Sequence, residues 1–147
     1  LNLSWIILQS FLFTFCAPAI CQENSFKEEF SRARSLRKEK KYDQALEIYN
    51  QIISKEEYNA QAFQEKGAVL ASLERYREAI SAENRAIALD PKLHLAHIYK
   101  GMIYCNKERN LDAYNEFSRA LELKPDSYVV HMRLGLVCNQ LNDLMNP

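Results

Sequence analysis

The sequence predicts an all-α protein, an α-solenoid of antiparallel helix hairpins with a 34-residue period, and three observations carry that prediction. The only three glycines, Gly67, Gly101 and Gly135, are spaced 34 residues apart. Pro91, Ala79, Ala86 and Leu89 recur at the same interval as Pro125, Ala113, Ala120 and Leu123. Between these landmarks the apolar residues follow helical spacing, and no alternating strand pattern appears. A repeat of this length marks stacked helix pairs rather than one globular core.

The elements follow in order. A first helix is expected near 25–39, with Ser25 and Glu28 at the spacing of a capping box and Ala33 where the later units have glycine. A second is expected near 42–55, where Ala45 precedes Ala79 by one period and Tyr49 precedes Glu83. Ala62, Phe63, Val69, Leu70 and Leu73 form one face of a third helix near 59–73. After the polar pair Glu74-Arg75, the residues Tyr76, Ala79, Ile80, Ala86, Ile87 and Leu89 form a fourth near 76–89. Asp90-Pro91 ends it, because proline has no amide hydrogen and disfavours helix in the residue before it. The pattern repeats in helices near 93–107 and 110–123, closed by Pro125, and a seventh helix is expected near 127–142. Gly67 and Ala79 stand where two antiparallel helices must approach closely. The chain therefore divides into residues 1–22, repeats 26–59, 60–93 and 94–127, and a partial repeat 128–147, the repeat domain spanning 25–147.

Phe63, Gly67, Leu70, Ala79, Ala86 and Pro91 resemble the spaced signature of a tetratricopeptide repeat. His97, Gly101, Tyr104, Ala113, Phe117, Ala120 and Pro125 resemble it again, and His131, Leu134, Gly135 and Cys138 supply the first half of a further copy. Glu83 stands where that family usually places a large aromatic, His97 and His131 stand where an aromatic is common, and Leu111 is shifted by one position.

The resemblance implies a concave surface lined by the first helix of each pair, receiving an extended or helical segment of a partner protein. The residues assigned to it are Lys27, Phe30, Arg34, Arg37 and Lys38, then Gln61, Gln64, Ala68, Ala71 and Ser72. Leu95, Ile98, Met102, Cys105 and Asn106 follow, then Val129, Met132, Leu136 and Asn139. This groove begins basic and ends apolar, so its partner is expected to be part acidic and part aliphatic. The alternative for Leu95, Ile98, Val129 and Met132 is packing against neighbouring helices. Relatives that hold the acidic tails of heat-shock chaperones use cations and asparagine at places that fall here on Phe30, Arg34, Glu65, Leu95 and Tyr99. Only Arg34 carries a suitable charge, so a chaperone tail is not expected.

Residues 1–22 carry no charge and contain an apolar run ending in Ala17-Pro18-Ala19 and Ala19-Ile20-Cys21, both small-x-small sites. They are read as an export signal removed after Ala19 or Cys21, with a retained membrane anchor as the alternative. The basic stretch Arg32 to Lys41 follows this run rather than preceding it, the reverse of a normal export signal. The protein is then exported, periplasmic or secreted, and touches a membrane only through this segment.

Net charge is zero, with 19 basic and 19 acidic side chains, so no overall field draws in nucleic acid. The basic run from Arg32 to Lys41 lacks interleaved aromatics and is read as a solvated face, and nucleic acid is not expected as a partner. His94, His97 and His131 are the best candidates for a metal set, but His97 and His131 occupy a core position of the repeat, and no carboxylate or cysteine completes the set. No glycine-rich phosphate loop, serine elbow or paired-cysteine motif is present, so neither an enzyme nor a cofactor is expected. Cys105 and Cys138 are expected as buried free thiols, a disulfide being the alternative. Val130, Leu134, Val137, Cys138 and Leu141 leave the last helix without a hairpin partner, and Asn142-Asp143-Leu144 resembles a joint before a further helix. This end is read as that of a fragment, with a covering subunit as the alternative. If it is a fragment, the second function class is the targeting portion of a larger enzyme.

Overall fold

The computed structural model describes residues 26–145. Among them are seven helices and no strand: α1 (residues 26–38), α2 (Tyr42–Lys55), α3 (Ala60–Ser72), α4 (Tyr76–Leu89), α5 (His94–Asn106), α6 (Asn110–Leu123) and α7 (Tyr128–Met145). The proposed export signal or anchor and Ser25 of the capping box lie outside the described residues. One expectation fails at the other end. Asn142-Asp143 is not a joint, because α7 continues through it to Met145. Neither residue lacks an amide donor, so nothing there forces the helix to stop.

The turn inside each hairpin has one backbone solution used three times. Lys40, Glu74 and Glu108, again one period apart, have φ of 60°, 59° and 57°. The amides that follow them close back on the helix: Lys41 N–H donates to Leu36 O, Arg75 N–H to Leu70 O and Arg109 N–H to Tyr104 O, each at 2.9 Å. This is the six-residue closure that satisfies the orphan carbonyls at a helix end. It is built here without glycine at the left-handed position. Between hairpins, Asn59 caps α3 by accepting the Ala62 amide at 2.9 Å, and the Asp90 carboxylate accepts the Lys92 amide at 3.0 Å.

The core runs continuously from hairpin to hairpin. Ala33, Ala45, Ile48, Tyr49 and Ile52 bury together with Ala62 and Val69 of the next unit. Leu70, Ala79 and Ala82 bury with Ile103, and Ala113, Phe117 and Ala120 bury with Val130 and Val137. Because each hairpin finishes its core on its neighbour, none is a stable unit alone.

Tyr49, Glu83 and Phe117 share one register position, and all three are fully buried. Phe117 fills the space above Gly101, where an added methyl would stand 2.6 Å from its ring. Glu83 fills the same space above Gly67 with its carboxyl group. Neither Glu83 oxygen finds a hydrogen-bond partner. Burial, reinforced by the Glu65 carboxylate and only partly opposed by Lys100, pushes its pKa up to about 10, so the side chain is a neutral acid in the fold.

Candidate protein-interaction groove

Two side-chain contacts locate the inner surface. Arg34 of α1 reaches Glu65 of α3, with Nε 2.7 Å from Oε1. Arg37 of α1 passes beyond α3 and donates from Nη1 to the Tyr99 hydroxyl of α5 at 3.3 Å. A side chain can bridge the first helices of three successive hairpins only where they converge on one side of the stack. That side is the groove of α1, α3, α5 and α7.

Its first half is electrostatically closed. Glu65 is buried, and its Oε2 also lies 3.6 Å from Arg37 Nη2. Burial works against the charge of Arg37, but the Tyr99 hydroxyl and Glu65 outweigh it and raise its pKa. The Tyr49 hydroxyl below is driven up by burial and by Glu65. The two arginines expected to meet a partner's acid are thus already held by a carboxylate of the chain itself. Glu65 had been placed on this face only as a failed clamp position.

The second half is apolar and open. Leu95, Val129, Met132 and Leu136 are 40%, 50%, 55% and 59% exposed, which is far above what packed aliphatic side chains show. Ile98, Met102 and Cys105 instead lean on the cluster around Phe117 and Val130 and are only partly accessible. Of the four residues for which packing was the alternative, Ile98 alone takes it. Arg133 lies among the open ones, one period after Tyr99 and two after Glu65. It is half-buried, and its Nε, shielded from water, meets no acceptor among the described residues.

Two assignments to the lining are corrected: Gln64 and Ala68 are both buried, because the face they share with Gly67 is covered by neighbouring helices. Phe30 is partly covered, its ring 5.9 Å from that of Tyr49 and under the Arg34 guanidinium. Lys27, Lys38 and Gln61 are exposed. What the sequence reading missed is Arg133, which continues the row of Glu65 and Tyr99, two residues named there only as clamp places. The signal was available, since all three occupy one position of the 34-residue period.

Beside the groove, between α5 and α6, Glu116 accepts from two sides: Lys100 Nζ is 2.6 Å from Oε1, and His97 Nδ1 is 2.8 Å from Oε2. Burial raises the Glu116 pKa, but these hydrogen bonds outweigh it and hold the carboxylate low. His97 is buried as the repeat position implies. His131 is exposed, a correction to its reading as a core residue, and its Nε2 lies 2.8 Å from the Pro125 carbonyl. Among the described residues no second helix covers it. His97 and His131 therefore go to separate surroundings, and among the described residues no cluster of three metal-ligating side chains forms. Cys105 and Cys138 are free and half-buried, and burial raises the Cys105 thiol pKa. No helix among the described residues is long and apolar enough to cross a membrane.

Residues 30–94 match the sequence profile of the tetratricopeptide repeat. None of the curated proteins matches the chain by sequence. Among solved structures, the second TPR domain of human RPAP3, in complex with the HSP70 peptide SGPTIEEVD, is 25% identical with a TM-score of 0.68, covering 74% of this chain and 91% of that one. The TPR domain of Sgt2 from Aspergillus fumigatus is 16% identical with a TM-score of 0.77, covering 82% of each chain. The Yersinia enterocolitica type III secretion chaperone SycD, in complex with a peptide of the translocator YopD, is 17% identical with a TM-score of 0.72, covering 80% of this chain and 95% of that one.

Proposed function

We propose that this chain, a member of the tetratricopeptide repeat family, is a non-enzymatic scaffold that holds an extended or helical segment of a partner protein in the groove of α1, α3, α5 and α7. The observation that carries this is the open row Leu95, Val129, Met132 and Leu136, aliphatic side chains facing water on the inner side of the stack. Apolar side chains gathered on a concave face gain by burial against a partner, and such burial supplies most of the affinity of a docked segment. RPAP3 and SycD bind peptides on the same fold.

The partner segment is part aliphatic and part acidic, but it is not a chaperone tail. Of the five clamp places, only Arg34 carries a cation, and Glu65, another of the five, already pairs with it. An incoming run of carboxylates would meet Glu65 rather than free guanidinium groups.

The test is selection of a random peptide library on the repeat domain, followed by binding to a Met132→Asp/Leu136→Asp variant whose circular dichroism matches the parent. Enriched aliphatic peptides that lose at least tenfold in affinity on the variant are the expected result. Peptides that bind both proteins equally would remove the groove assignment.

A further inference from the structure

We propose that Arg133 is the residue that receives the partner's carboxylate, so that the acidic side chain of the bound segment lands at the α7 end of the groove, among Val129, Met132 and Leu136. This rests on the groove reading above and specifies its chemistry. It also reverses the direction expected from sequence, which put the acid on Arg34 and Arg37.

Two independent observations lead there. The first is that the basic end is occupied. Glu65 lies 2.7 Å from Arg34 and 3.6 Å from Arg37, and its Oε2 is buried without a hydrogen-bond partner. A second carboxylate brought to these arginines would have to displace Glu65 or lie against it, and like charges at such separations repel.

The second is that Arg133 is uncommitted. Among the described residues it makes no ion pair, and its Nε is shielded from solvent with no acceptor. Its neighbours one turn away on α7 are Val129, Val130, Leu136 and Val137, so its own helix offers no compensating acid. A guanidinium that has lost part of its hydration without gaining an acceptor is poised for one, and a carboxylate satisfies two of its N–H groups at once. The exposed aliphatic side chains around it would close over that pair and exclude water, which strengthens it. The occupant that fits is a partner segment with one aspartate or glutamate flanked by aliphatic residues. Arg133 supplies orientation and selectivity, while the aliphatic row supplies burial.

Fluorescence anisotropy tests this with two labelled peptides, Ser-Leu-Glu-Val-Leu-Ala-Ser and the same peptide with glutamine in place of glutamate, on the full chain. The glutamate peptide is expected to bind roughly tenfold more tightly, a preference that shrinks as salt is raised. Arg133→Gln should abolish the preference and Arg133→Lys should keep part of it, since lysine retains charge but not the two-pronged geometry. Preference that survives in Arg133→Gln, or that disappears in Arg34→Gln/Arg37→Gln instead, would overturn the proposal. Equal binding of both peptides would also overturn it while leaving the groove standing. Failure of both peptides to bind would count against the groove itself.

Discussion

In the third hairpin the space above Gly101 is filled by the ring of Phe117, and in the second the same space above Gly67 is filled by the carboxyl of Glu83. The two units otherwise share register, turn geometry and length. The difference teaches that the notch left by a missing Cβ demands volume before it demands chemistry. Phe117 supplies volume by apolar burial. Glu83 supplies it as a neutral acid, with the cost of an unsatisfied polar group in a dry site. The second hairpin is therefore the weaker joint, although its helices are as regular as those of the third.

The comparison can be broken most severely from its strong side. Phe117→Ala removes a fully buried ring and leaves a cavity against Gly101; the expected loss is about 3–5 kcal/mol, read as the shift in a urea unfolding curve. A loss below about 1 kcal/mol would mean that the joint collapses around the gap.

A pH series sharpens the weak side. The folded pKa of Glu83 is raised from 4.5 to about 10, so between those values the native state keeps a proton that the unfolded chain has released. Stability then falls as pH rises through that window, by about 1.4 kcal/mol per unit for this group. Glu83→Gln, which cannot ionise, should flatten that slope and gain up to about 3 kcal/mol at pH 7. Parallel stability curves for parent and variant from pH 5 to 9 would show that Glu83 is not held neutral.

The glycines give the smallest and most discriminating effects. Gly101→Ala places a methyl 2.6 Å from the Phe117 ring and should destabilise by about 1–3 kcal/mol. Gly135→Ala meets nothing within 4 Å and should stabilise α7 by about 0.5–1 kcal/mol through helix propensity alone. Thermal unfolding of the two variants side by side measures the sign as well as the size. Equal effects would mean that the ring does not press on Gly101.

Much of this was legible before any coordinates. The helices begin and end close to where the prolines, the polar pairs and the 34-residue landmarks put them, because those signals act within a few residues of chain. Along the expected groove lining Val129 and Met132 are exposed, whereas Gln64 and Ala68 are buried, against the expectation. Period assigns a residue to a helix face. How far the next helix overlaps that face depends on crossing geometry that no local pattern encodes.

By itself the sequence determined the repeat and the hairpin joints, since both follow from spacing along one chain. Only the tertiary structure decided which charges are spent and which are free. Arg34 and Arg37 meet a carboxylate 31 and 28 residues away, Glu83 closes over Gly67 with no partner at all, and Arg133 is left uncommitted at the α7 end of the groove. Electrostatic pairing acts through space over a few ångströms, so it is settled by where the helices bring their side chains rather than by any interval in the sequence.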